Sequence, residues 1–171
     1  MVATPRIDAK GIVRRSPPRS RARNRVRQRH GATFPPQALL AAAARARRGA
    51  VAPYSHFKVG AALLTRAGRI ITGANVESAS YGLSCCAERV ALFNALTRGE
   101  RSFVAVAVVA RATGGPMPCG ACRQMLAEYA PEAQVWVADS RALKGARPFS
   151  IQDLLPAPFV SVPPAVGGPG V

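Results

Sequence analysis

Two short segments carry the residues best suited to chemistry: Ser84-Cys-Cys-Ala-Glu-Arg89 and Pro118-Cys-Gly-Ala-Cys-Arg-Gln124. Cys119 and Cys122 are three residues apart, so on a helix their sulfurs share a face and can reach one ion. Cys86 supplies a third thiol from a separate segment. Three protein ligands leave a tetrahedral zinc ion one open position, the mark of a catalytic site, where the metal lowers the pKa of water. Glu88, two residues beyond the first thiol, can face the same cavity without binding the ion and serve as general acid and base. Three thiolates around one divalent ion carry net negative charge. Arg89 and the positive ends of two helices are therefore expected to draw charge back from sulfur.

Each piece alone fits other uses. A lone Cys-x-x-Cys serves redox pairs and half-sites of structural zinc, and a structural site needs a fourth protein ligand. Cys85 is the only candidate, and next to Cys86 it points the opposite way along the chain; it is expected to be a small core residue.

The elements that must hold these residues follow from periodicity. Pro35-Pro36 opens a helix over Gln37 to Arg48, closed by Gly49. Strands are expected from His56 to Thr65 and Arg69 to Val76, with a tight turn at Ala67-Gly68. A helix from Cys85 to Leu96, with Ser84 as N-cap, presents the first thiol. The unbroken apolar run Phe103 to Ala110 suits a strand covered on both faces. A helix from Pro118 to Tyr129 presents the other two thiols, followed by a strand over Gln134 to Ala138 and a helical turn at Ile151 to Leu155. The order αββαβαβ predicts an α/β fold of three layers, a central mixed sheet flanked by helices.

Nearly half of the 171 residues are apolar, enough for one domain. The formal charge of +16 invites a nucleic-acid or anionic-membrane partner. Its distribution argues otherwise. Residues 1–33 hold ten Lys or Arg against one Asp, a net +9, which leaves +7 for the other 138. Such a segment buries too little to order itself. Residues 1–33 are therefore expected to form a disordered Arg-rich extension, 34–160 the catalytic domain, and 161–171 a flexible Pro/Gly-rich tail. Without an apolar run of membrane length or an apolar segment behind the basic start, a cytoplasmic protein with no membrane partner is expected.

Five segments in order resemble the cytidine deaminase family, specifically its short, three-cysteine, homotetrameric branch: Ala52-Pro-Tyr-Ser-His-Phe-Lys-Val-Gly-Ala-Ala62, Gly73-Ala-Asn-Val-Glu77, the two thiol segments, and Leu154-Leu-Pro-Ala-Pro-Phe159. A three-cysteine site with a non-ligand Glu is a known form of the zinc deaminase signature. The resemblance implies a cytidine deaminase-like fold with one zinc per subunit. It also implies hydrolytic deamination of cytidine and deoxycytidine to the uracil nucleosides plus ammonia, in pyrimidine salvage. Glu88 would move protons while zinc-activated hydroxide attacks C4. Asn75 and Glu77 match residues that bind the ribose hydroxyls, Phe57 the aromatic lying against the pyrimidine, and Ala87 a further substrate contact. Tyr81 and Phe159 match residues that approach a neighbouring subunit's active site, which implies a homotetramer with shared sites.

Three other readings remain at this stage. A polynucleotide deaminase would hold its strand with residues 1–33, but the domain shows no aromatic-and-basic strip for one. A blasticidin S deaminase shares the branch, whereas Asn75 and Glu77 favour a plain ribose or deoxyribose. A non-catalytic zinc protein would not need Glu88.

Overall fold

The computed structural model describes residues 36–159. The extension expected over 1–33 and the tail expected over 161–171 lie outside the described residues. The chain runs α1 (Pro36–Ala46), β1 (Val59–Thr65), β2 (Ile70–Ala74), α2 (Ala87–Thr97), β3 (Phe103–Ala110), α3 (Gly120–Tyr129), β4 (Gln134–Asp139), β5 (Arg147–Phe149) and α4 (Ile151–Leu154). Among the described residues no helix is long and apolar enough to cross a membrane.

One mixed sheet is ordered β2-β1-β3-β4-β5. The β1–β2, β1–β3 and β4–β5 pairs are antiparallel and β3–β4 is parallel. The central strand, β3, is apolar at every position because both faces are covered. Ala61, Leu63, Val106 and Val108 pack with α2 and α3 on one side, while Ala62, Leu64, Ala105, Ala107 and Val109 pack with Leu39, Leu40, Ala42 and Ala43 of α1 on the other. This period-two division across one apolar run produces the three layers.

The expected turn between β1 and β2 is present. Gly68 adopts φ 83°, a left-handed conformation that costs glycine little, and its N–H donates to Thr65 O at 2.9 Å. At Gly73 the demand is for space: a Cβ there would lie 2.7 Å from Ala87 O and 2.9 Å from Ala91 Cα. Glycine at this position lets the first turns of α2 sit directly on β2.

Several boundaries differ from expectation for local reasons. The first helix tightens into a 3₁₀ turn over Arg47–Gly49. β1 starts at Val59 rather than His56, because Asn75 and Glu77 hold the preceding residues in a loop. β2 ends at Ala74 rather than Val76. α2 starts at Ala87 with Cys86 as N-cap, not at Cys85 with Ser84. The Ser84 hydroxyl is instead engaged by Ser78 N–H at 3.0 Å, and Cys85 is held extended by Val76. α3 likewise starts at Gly120, capped by Cys119. β5 was absent from the expected order. The last helix is a single turn opened by a reciprocal capping box between Ser150 and Asp153.

Candidate active site

Placing β3 between β1 and β4 sets α2, which leads into β3, beside α3, which leads out of it, on one face of the sheet. Their first residues meet there. Cys86 and Cys119 are the N-caps, and neither side chain makes a capping hydrogen bond, which leaves both thiols free. Their carbonyls accept the first helical bonds, from Val90 at 3.0 Å and Arg123 at 2.9 Å. Cys122, in the first turn of α3, is fully buried.

The three sulfurs lie within 4.8 Å of one another, with 3.7 Å between Cys86 and Cys119 and 3.6 Å between Cys119 and Cys122. Tetrahedral zinc with Zn–S bonds of ~2.3 Å requires sulfurs roughly 3.8 Å apart, so this cluster fits the ion with little adjustment. Cys85 stands outside it and is half-buried rather than part of the core, with burial pushing its thiol pKa up.

Charge is arranged around these sulfurs. A hydrogen bond from Cys122, helped by Arg89, holds the Cys86 thiol down at about 5. The same bond raises Cys122, which keeps the shared proton. Two helix N-termini add a positive field that favours thiolate. Burial opposes the charge on Arg89, but interaction with Cys86 and the nearby thiols outweighs it and raises the pKa. Its Nη2 donates to Ser84 O at 3.0 Å, and its Nε is the one buried side-chain nitrogen or oxygen among the described residues that lacks a hydrogen-bond partner. An unspent donor beside a thiol cluster is what an anionic metal centre requires.

Glu88 is only 5% exposed, in the first turn of α2. Burial, reinforced by the charge of Cys86, lifts its carboxyl to about 7. Ala87, expected among the substrate contacts, is fully buried, with its carbonyl facing Gly73.

The second group of expected residues surrounds the loop before β1. Asn75 is buried, and its amide makes two main-chain bonds, accepting from Val59 N–H at 2.8 Å and donating to Phe57 O at 3.0 Å. Glu77 accepts from the N–H groups of Tyr54 and Ser55, each at 3.1 Å, and from the Ser55 hydroxyl. These bonds, led by the Ser55 hydroxyl, hold Glu77 below the ordinary carboxylate range. Both side chains therefore shape the segment that presents Phe57, which is 42% exposed. His56 completes that shape at φ 57°, an uncommon conformation for a residue with a side chain. Tyr81 projects into solvent and meets Tyr54 edge-on, with ring centroids 6.4 Å apart.

Phe159 lies apart from this group. Its ring is exposed, and its main chain is bound at both ends by Gln124 of α3. Sequence reasoning gave Gln124, Arg123 and Ser55 no role, although all three stand inside the quoted segments. Arg123 donates to Pro118 O at 2.7 Å and Leu154 O at 3.0 Å, tying the start of α3 to α4.

A three-layer α/β fold with paired helix N-termini converging on three thiols and a buried carboxylate defines a zinc-binding enzyme domain. The family described as the cytidine and deoxycytidylate deaminase zinc-binding region matches residues 35–138, and the chain belongs to that family. It is 48% identical over 127 residues to the cytidine deaminase of Halalkalibacterium halodurans, covering 73% of this chain and 94% of that protein. Among solved structures, it is similar to the cytidine deaminase from Burkholderia pseudomallei, with a TM-score of 0.69 and 50% identity over 72% of this chain and 98% of the other. It also resembles the cytidine deaminase from Mycobacterium tuberculosis, with a TM-score of 0.64 and 38% identity over 74% and 98% of the two chains.

Proposed function

We propose that this protein deaminates free cytidine and 2′-deoxycytidine by hydrolysis, releasing ammonia and the uracil nucleoside in pyrimidine salvage. The observation that carries this reading is the placement of a buried carboxylate, Glu88, in the same helical turn that presents the first of three clustered thiols. Cys86, Cys119 and Cys122 hold the metal. Zinc supplies Lewis acidity that makes a nucleophile of water near neutral pH.

The remaining work belongs to side chains. Glu88 takes a proton from the attacking water and delivers it to ring N3, then takes the remaining proton from the hydroxyl now on C4 and passes it to the departing amine. Arg89 offsets the thiolate charge so that the metal's acidity is not blunted. Asn75 and Glu77 face the sugar hydroxyls, and Phe57 lies against the base. A carboxylate near the sugar repels a phosphate, which favours nucleosides over nucleotides.

The catalytic unit is a homotetramer in the cytoplasm. Supporting this, Tyr81, Leu83 and Phe159 are 78%, 76% and 66% exposed in the single chain, a large apolar outlay that a neighbouring subunit would cover. The domain spans residues 34–160, and residues 1–33 take no part in turnover.

The test is an ultraviolet assay on zinc-loaded, full-length protein with cytidine, deoxycytidine and blasticidin S, each with and without a strong chelator. Chelator-sensitive loss of either cytosine nucleoside is the expected result. A folded, zinc-loaded sample that turns over only blasticidin S, or nothing, refutes the reading.

A further inference from the structure

The C-terminal aromatic residue is held in an unusual way. The N–H of Phe159 donates to Gln124 Oε1 at 3.2 Å, and Gln124 Nε2 donates back to Phe159 O. One side-chain amide thus occupies both main-chain polar groups of a single residue, as a neighbouring strand would. Between α4 and this clamp, Pro156 and Pro158 fix two of the remaining φ angles. The neighbouring Arg123 binds Leu154 O at 3.0 Å, anchoring the near end of the same segment. The backbone of 154–159 is therefore registered against α3 at two points, while the ring it carries is left 66% exposed.

Registering a residue without burying its side chain has no obvious value to the isolated fold. The direction in which the ring is presented does. Gln124 follows the buried ligand Cys122 by two positions, a rotation of roughly 200° about the helix axis. The clamp therefore lies on the side of α3 away from the thiol cluster of its own subunit, and the aromatic it holds is offered outward.

We propose that Gln124 is a positioning residue for nucleoside binding. It fixes Phe159 relative to α3 so that the ring covers the pyrimidine site of a second copy of this chain. This rests on the nucleoside deaminase reading above. Gln124 itself touches neither substrate nor metal. It removes the freedom the segment would otherwise lose on each binding event, so its effect falls on KM rather than on the chemical step.

The experiment is a double-mutant cycle on the full-length zinc enzyme, comparing wild type, Gln124→Leu, Phe159→Ala and the combined variant. Zinc content, melting temperature and oligomeric state are measured on each preparation. Gln124→Glu, which keeps the acceptor for Phe159 N–H but not the donor, provides a milder step. The expected result is a KM for cytidine raised about tenfold by either single change, with kcat within about twofold. The double variant is then no worse than Phe159→Ala alone, and Gln124→Glu falls between wild type and Gln124→Leu. Independent, multiplying effects would overturn the proposal, as would an unchanged KM in Gln124→Leu, or a rise matched by lost zinc or lowered melting temperature. An unchanged KM in Phe159→Ala also overturns it. In that case wild-type turnover reports separately on the deaminase reading, which would stand.

Discussion

Val76 and Cys85 pair their main chains in both directions, with Val76 N–H to Cys85 O at 3.0 Å and Cys85 N–H to Val76 O at 2.8 Å. Glu77 and Cys86 are the next residues along the chain from each. A two-bond bridge thus couples the segment proposed to meet the sugar to the first of the three clustered thiols. Val51 extends it from the other side, donating to Asn75 O at 2.9 Å and accepting from Glu77 N–H at 2.8 Å. The spacing between the two halves of the site is set by backbone, which is stiffer than any side-chain contact could make it.

Glu88→Gln is expected to keep zinc, fold and melting temperature while lowering kcat by about 10³ or more, the upper range for a single proton-transfer group. Metal analysis and initial rates on one preparation check this. A zinc-loaded variant with wild-type rates would remove Glu88 from the chemistry.

Cys122→Ser places a poor zinc ligand in the fully buried corner of the cluster. Equilibrium dialysis against zinc should show weakened binding. Chelator, which lowers the melting temperature of the parent, should then have little further effect on the variant.

Gly73→Ala should destabilise the fold by about 1–3 kcal/mol through overpacking and should also loosen zinc, because the clash falls on the first turns of α2. At Gly82 a Cβ meets nothing within 4 Å, so Gly82→Ala serves as control and should change stability by about 0.5 kcal/mol or less. Denaturant midpoints and zinc titrations of the two variants decide it. Equal behaviour would contradict the close approach of α2 to β2.

Asp139 accepts from the Arg141 guanidinium, at 2.5 Å from Nη2 to Oδ2, and this bond holds its carboxyl at about 2, below the ordinary 3.8. The folded chain therefore binds this proton less readily than the unfolded chain. The stability contributed is complete above pH 3.8 and is lost as pH falls through about 2. Asp139→Asn should remove this contribution, lowering the melting temperature slightly at neutral pH, where it is complete, and flattening the acid limb in that window; the loss is small because the Arg141 partner is half-exposed.

The layers and the metal site were legible in sequence because each rests on a local pattern. The unbroken apolar run of β3 required cover on both faces, and the three-residue spacing of Cys119 and Cys122 put both sulfurs within reach of one ion, with Cys86 as the third. What stayed hidden depends on contacts between distant segments. Cys86 became a helix cap because Val76, ten residues upstream, keeps Cys85 extended. β5 is three residues long and contains Pro148, too short and too poor in strand formers to be read before β4 was in place. The positive φ of His56 follows from the hydrogen bonds Glu77 and Asn75 make to its neighbours, for which no nearby turn residue gives notice.

Cys86 and Cys119 are 33 residues apart, and a metal joining them closes a loop containing α2 and β3. A permanent cross-link over that length would remove roughly 3–4 kcal/mol of chain entropy from the unfolded ensemble. Here the link is dissociable, so its strength varies with the concentration of free zinc. The durability of the folded chain should accordingly follow the zinc content of its surroundings, a dependence that the same fold fastened by a disulfide would not have.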